Sequence, residues 1–335
     1  MKAFSFARAA EPKQVIAALA DPGTQIIAGG TELLNWMRLG IAAPERLVDI
    51  SKLHTLDGIT RSERRISIGA LTSLNEIGEH ADISTYAATL AQACLKAASA
   101  QIRNRATIGG NVLQRTRCAY FRSEAPVPWE CNKRTPSSGC AAIAGLNERH
   151  AIFGWTNDCA AVHPSDPAVA LACLDAEIEL LGPRGRRSLP FRDFLLTQAE
   201  AEKAGSAAQV ESRLMRGEMI TAFHIMVRPD ERSAYLKVRE RESFEYAIVS
   251  AAAAVKLKAD RIVSARIALG SVAQRPWRLL DAEQALAGKR LAREEIAPVI
   301  EAAMAEAKTL PHNDYKTTLA RNAAIRALLM AGGAA

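Results

Sequence analysis

Two glycine pairs and four cysteines are the residues of this chain whose types and spacing suit chemistry. Gly29 and Gly30 stand in Ala28-Gly29-Gly30-Thr31-Glu32-Leu33-Leu34, directly after the strand-like Gln25-Ile26-Ile27. A glycine pair lets the backbone approach a ligand closely. The helix predicted to follow, through Trp36 and Arg38, begins with unpaired N–H groups that suit an anion. A second pair lies in Thr107-Ile108-Gly109-Gly110-Asn111. Two such loops are suited to clamp one diphosphate from both sides. Either pair alone is equally an ordinary tight turn, with Thr31 as a helix cap and Glu32 as an acid favoured at a helix start. Neither reads GxGxxG, so a Rossmann dinucleotide site is not indicated.

Cys118, Cys131, Cys140 and Cys159 are separated by 12, 8 and 18 residues, a spacing that fits neither a zinc ribbon nor a ferredoxin run. They bracket an aperiodic stretch, residues 114–160, punctuated by Pro126, Pro128, Pro136, Gly139, Gly145 and Gly154. Ordering a connection of that length costs conformational entropy unless it is pinned, and a metal centre with four thiolate ligands pins it at four points. Scattered free thiols are the alternative. Tyr120, Phe121, Trp129, Phe153 and Trp155 are placed to shield sulfur from water, and Arg115, Arg117, Lys133 and Arg134 to balance its charge. Cys94 and Cys173 fall on apolar helical patterns and read as core residues. No Ser/His/Asp arrangement and no histidine pair at i, i+4 is present. A bound group must therefore carry any reaction, with the protein binding and tuning it.

The elements that position these residues read as α+β. Strand-like runs at Val48 and Arg65 precede a helix face of Ala87, Leu90, Ala91, Cys94 and Ala98. After the aperiodic stretch a helix opens at Ser165-Asp166-Pro167, where Asp166 suits an N-cap with proline next. A strand at Glu177 then runs into the turn at Gly182, and the Ala/Glu-rich residues 198–209 suit a surface helix or a mobile insert. A second unit begins at Ser233 and ends in a long helix reaching about Met330, with the boundary near Arg228-Pro229. Hydrophobic residues at 49% and charged ones at 24% indicate packed domains and exclude a disordered chain. The +7 charge is interleaved with acids, as in residues 237–242, which argues against nucleic acid as the main partner and is compatible with an anionic ligand. No apolar run is long enough to span a membrane, and the N-terminus lacks a secretory core. Folding in the cytoplasm is expected, with any export to the periplasm depending on a signal-bearing partner.

The segments Ala28–Leu34, Ile68–Ile77, Arg103–Asn111, His163–Leu171 and Tyr235–Arg241 occur in an order that resembles the FAD-binding subunits of the xanthine dehydrogenase and carbon monoxide dehydrogenase family of molybdenum hydroxylases. Ala268–Lys289 and Asp314–Leu329 resemble that family's C-terminal domain. Arg115–Cys118, Cys131–Arg134, Ser138–Cys140 and Val162–Asp166 resemble the flavin subunits of bacterial periplasmic aldehyde oxidases.

The resemblance implies a two-lobed FAD-binding domain of the PCMH type over residues 1–228, with a 4Fe-4S insertion at 114–160. A small α+β domain with a three-stranded sheet and helices follows over 229–335. It implies that Ile27, Ala28, Gly29, Gly30, Thr31, Glu32, Leu33 and Leu34, with Thr107, Gly110 and Asn111, hold the FAD diphosphate. Asp166 matches a ribose-contacting acid, and Ile220 and Lys237 match positions on the isoalloxazine side; Ala97 falls where a family aromatic lies. Cys118, Cys131, Cys140 and Cys159 are implied as ligands of a 4Fe-4S cluster. The expected assembly is a heterotrimer. A large subunit hydroxylates the aldehyde at a molybdenum cofactor, a small subunit relays electrons through 2Fe-2S clusters, and FAD here delivers them to an external acceptor. Rival readings are the FAD subunit of a xanthine or other N-heterocycle dehydrogenase, a self-sufficient flavoenzyme of the same fold class, and a zinc-stabilised binding module.

Overall fold

The computed structural model describes residues 1–205 and 208–333. Three sheets organise the chain, and the candidate site residues sit at their junctions. The first lobe is a parallel sheet of β1 (Ser5–Arg8), β2 (Thr24–Ile27) and β3 (Arg46–Asp49), in the order β1-β3-β2. Its small core gathers Val15, Val48, Ile50, Leu53 and Leu56.

The second lobe is antiparallel, in the order β4-β5-β8-β6-β7. It is formed by β4 (Ile59–Arg61), β5 (Arg65–Gly69), β6 (Glu177–Gly182), β7 (Gly185–Pro190) and β8 (Met219–Met226). Period-two burial explains it: Ile66 and Ile68 of β5 and Ile178 and Leu180 of β6 point into one large core, between partly or fully exposed neighbours. The helices Ala88–Lys96 and Asp166–Cys173 fill that core from the other side. The first ends at Lys96, short of the expected Ala98, which takes a left-handed φ of 46°. The N-cap of the second is Ser165, whose hydroxyl accepts from the Ala168 N–H at 3.1 Å, so Asp166 is the first helical residue and not the cap.

The C-terminal sheet consists of β9 (Glu231–Val238), β10 (Val249–Lys258), β11 (Arg261–Gly270) and β12 (Trp277–Arg278), in the order β12-β11-β10-β9. It has four strands where the family resemblance implies three. The fourth is a two-residue edge just after Pro276, too short to leave any alternation. The alanine-rich β10 is covered on both faces: Ala252 and Ala254 join the second-lobe core, while Ala251, Ala253 and Val255 join a separate core under the helix Tyr315–Gly332. A strand buried on both faces reads as one continuous apolar run.

Among the described residues, no helix or strand occurs between Val112 and Asp166; only isolated bridges such as Cys131 with Cys140 punctuate the stretch. Of the Ala/Glu-rich residues 198–209, Gln198–Lys203 form a helix with a capping box from Thr197 to Glu200, and Gln198 and Ala201 are buried. Ser206 and Ala207 lie outside the described residues. No described helix is long and apolar enough to cross a membrane.

Candidate functional site

The first glycine loop leaves β2 at Ile27 and enters the helix Leu33–Arg38. Gly30 has φ +74°, in the left-handed region that favours glycine. A Cβ at Gly29 would lie 1.8 Å from the Arg105 carbonyl oxygen, so the missing side chain is what lets this loop rest on the segment entering the second glycine pair. The backbone N–H groups of Gly29, Gly30, Thr31, Glu32 and Leu33 have no acceptor among the described turns, loops and caps. Successive free amides at a half-exposed turn form an anion-binding concavity. The helix that follows has only six residues, and its N-cap position is Glu32 without a side-chain cap, so Thr31 does not cap it. Loop amides, more than a helix dipole, are what this element offers to an anion.

The second pair departs from the expectation. Ile108 N–H donates to Thr72 O at 3.0 Å, Gly109 N–H to Ala70 O at 2.9 Å and Asn111 N–H to Thr107 O at 2.8 Å, while Thr107 Oγ1 accepts from Gly110 N–H at 3.2 Å. These amides are already engaged. The glycines serve packing instead: a Cβ at Gly109 would stand 3.0 Å from Ala70, whereas Gly110 is exposed and lacks a left-handed φ. What this loop presents is the Thr107 hydroxyl and the bare face of Gly110. Asn111 Oδ1 accepts the Ser165 hydroxyl at 2.6 Å, which ties the loop to the start of the helix Asp166–Cys173.

That helix start carries Asp166. Its buried carboxylate accepts from Tyr235 Oη at 2.5 Å and from Lys237 Nζ at 2.8 Å, and Lys237 also donates to Lys96 O at 3.0 Å. Tyr235 and Lys237 are two apart on β9 and so share a face. The side chains of Lys237 and Asp166 are 1% and 6% exposed, so the pair is buried. Burial pushes the Asp166 carboxyl up, while Lys237 and both hydrogen bonds oppose the shift. Ile220 is buried where β8 bulges against β6. Its neighbour Thr221 accepts from Ala70 N–H, and Ala70 in turn accepts from Gly109, so Ile220 and the second loop share a corner. Ala97 is buried at the end of the helix Ala88–Lys96.

The four loop cysteines line one cavity, with Tyr120, Phe121, Lys133 and His150 among its other walls. All are free thiols. Neighbouring backbone amides favour the thiolate at each of the four, those of Phe121 and Tyr120 at Cys118, Lys133 and Arg134 at Cys131, Ala160 and Ala142 at Cys140, and Ala161 at Cys159. The Phe121 and Arg134 N–H groups donate to the Cys118 and Cys131 carbonyls. Burial pushes Cys118 up to about 12 and Cys131 up by less. A hydrogen bond from the Cys159 thiol brings Cys140 down to about 7 and holds Cys159 well above the usual range. Cys94 and Cys173 differ. Both are fully buried core residues, and Cys173 donates to Arg266 O at 3.5 Å.

Among the described residues, no group of three or more His, Cys, Asp or Glu is placed to hold a single metal ion. The basic residues near the cysteines are largely occupied. Arg115 and Lys133 pair with Glu211, and Arg117 and Arg122 with Glu32. Of the five nearby aromatics only Tyr120 and Phe121 line the cavity; Phe153 stacks on Trp277, and Trp155 receives Lys308. His150 was invisible to sequence spacing. Its buried Nε2 lies 3.2 Å from Cys118 Sγ, thirty-two residues away, and no local motif marks the pair.

Comparison with known proteins bears on this arrangement. The family profile described as the FAD binding domain in molybdopterin dehydrogenase matches residues 2–225, and that of the CO dehydrogenase flavoprotein C-terminal domain matches residues 234–331. The chain is 38% identical to the aldehyde oxidoreductase FAD-binding subunit PaoB of Escherichia coli strain K12 over 324 residues, covering 96% of each. It is 25% identical to the glyceraldehyde dehydrogenase medium chain of Sulfolobus acidocaldarius, over 86% of this chain and 82% of that one. In structure it superposes on a chain of the Hydrogenophaga pseudoflava carbon monoxide dehydrogenase with a TM-score of 0.76 at 24% identity, covering 99% of this chain and 98% of that one, a likeness of fold. A free-amide glycine loop beside a second glycine corner, two profile matches over most of the chain and a full-length relative at this identity point one way: the chain belongs to the family of FAD-binding subunits of molybdenum hydroxylases, which are oxidoreductases.

Proposed function

We propose that this chain is the FAD-binding electron-transfer subunit of a three-subunit, molybdenum-dependent aldehyde oxidoreductase. The aldehyde assignment is carried by the 38% identity to PaoB across 96% of both chains, and the medium chain of a glyceraldehyde dehydrogenase among the relatives supports it. In this reading a large subunit hydroxylates the aldehyde, a small 2Fe-2S subunit relays the electrons, and this chain passes them to an external acceptor. Bound FAD supplies the step between one-electron and two-electron chemistry. The division into a flavin domain over 1–228 and a C-terminal domain over 229–335 is part of the same reading.

The residues divide the binding between them. The free amides from Gly29 to Leu33 receive the diphosphate, with Ile27, Ala28 and Leu34 shaping the loop and Thr107, Gly110 and Asn111 facing it. Asp166 accepts two hydrogen bonds within the protein, and a carboxylate has about four acceptor sites, so capacity remains for a ribose hydroxyl. Ile220 and Lys237 lie on the ring side.

For Cys118, Cys131, Cys140 and Cys159 we propose a 4Fe-4S cluster. Four free thiols lining one cavity support it, and neighbouring backbone amides favour the thiolate at each, the charge state in which sulfur ligates a cluster. The experiment is anaerobic addition of aldehyde to the assembled complex and to this chain alone. The flavin absorbance should bleach only in the complex. Bleaching of the isolated chain by aldehyde would refute the electron-transfer assignment.

A further inference from the structure

The cysteine loop grips both ends of the short helix that follows the first glycine loop. At the front end, the Glu32 carboxylate pairs with Arg117, next to Cys118, and with Arg122 at 2.9 Å. Arg122 is itself fixed by the carbonyls of Thr116 and Arg115, both at 2.8 Å, and Arg117 lies over the Tyr246 ring at 4.3 Å. At the far end, the Leu39 carbonyl accepts from Ala125 N–H at 3.2 Å and from Arg134 at 3.4 Å. Arg134 sits three residues after Cys131 and also ties down the carbonyls of Phe121 and Ser123, each at 2.8 Å.

A helix of six residues without a side-chain cap does not hold itself in water. Its place, and with it the direction of the Gly29–Leu33 amides, depends on arginines whose own backbone belongs to the cysteine loop. That loop lacks regular structure and is otherwise held by side-chain contacts such as Arg115 and Lys133 with Glu211, so a centre that fixes Cys118 and Cys131 also helps to fix the arginines. We infer that Glu32, Arg117 and Arg122 are positioning residues that couple the state of the four-cysteine centre to the affinity of the first glycine loop for FAD. The inference rests on the readings of that loop as a flavin loop and of the cysteines as a cluster.

The test is titration of FAD onto the flavin-free full-length chain, iron-loaded and after chelation of its iron, for the parent, Glu32→Gln, Arg122→Lys and Gly30→Val. In the parent, iron removal should weaken FAD by about 5- to 150-fold, the span of ordinary coupling between two sites. Glu32→Gln should weaken FAD in the iron-loaded chain, and iron removal should then add little, because the same link is already broken. Arg122→Lys, which keeps the charge, should retain part of the coupling. Unchanged FAD affinity on iron removal from the parent, or the same loss in Glu32→Gln as in the parent, would overturn the coupling while leaving the flavin-loop reading intact. Parental FAD affinity in Gly30→Val would instead overturn the flavin-loop reading beneath it.

Discussion

At the residue scale, single atoms decide what each glycine does. Gly30 adopts φ +74°, so Gly30→Val should add about 1–2 kcal/mol of backbone strain as well as a side chain in the anion's path. Flavin per chain should fall to near zero in that variant, and full flavin would contradict the site. Gly110→Val is a milder change, since φ there is not left-handed and a Cβ would meet only Thr107 Oγ1, at 3.1 Å. It should fold like the parent and lose flavin only by contact with the bound phosphate, so a drop in thermal stability matching that of Gly30→Val would argue against this account. The Asp166–Lys237 pair gives a sharper case. Lys237→Met leaves a buried carboxylate without its cation and should cost about 3–5 kcal/mol, whereas adding Asp166→Asn should recover much of it. Denaturant unfolding of the two variants checks this, and equal losses would contradict it. Sequence alone pointed at Gly30, Asp166 and Lys237 but not at their partnership, because residues 71 apart meet only through the fold. His150 beside Cys118 was illegible for the same reason.

At the scale of elements, the cysteine loop was readable as an aperiodic stretch over residues 114–160, and the structure places no helix or strand between Val112 and Asp166 among the described residues. What the loop does to its neighbours was not readable, since the contacts of Arg117, Arg122 and Arg134 reach back to residues 32–39. Changing any one of Cys118, Cys131, Cys140 or Cys159 to Ser should cost iron and open residues 114–160 to proteolysis, because the segment loses one of the points at which a cluster would pin it. Cys94→Ala and Cys173→Ala should leave iron unchanged, at a packing cost of roughly 1 kcal/mol or somewhat more. Equal iron loss in both sets, measured per chain, would show that the loop cysteines are not special. The strands show the limit of pattern reading from the other side. The period-two β5 and β6 were plain, whereas two-residue β12 leaves no pattern to read, and β10, covered on both faces, does not alternate.

At the scale of the molecule, the second lobe and the C-terminal sheet share a core, to which Tyr235, Ala252, Ala254 and Ala268 contribute. β9 carries Lys237 to Asp166, and β10 sends alternate alanines into the two large cores, so the C-terminal unit helps to build the site as well as flanking it. The α+β alternation was legible in the local periods, whereas the two lobes followed from the family resemblance. The closeness of the C-terminal sheet was not legible, since alanine runs do not say what covers them. Side chains here do not oxidise an aldehyde, so co-expression with the small and large subunits should yield a stable complex that turns over aldehydes, while the chain alone yields none; turnover by the chain alone would contradict the division of labour. The most direct measurement is the content of FAD, iron and acid-labile sulfide per chain in natively purified protein. This account predicts one FAD and four each of iron and sulfide on this chain; protein without flavin, or flavoprotein in which the four cysteines carry zinc or no metal, would contradict it.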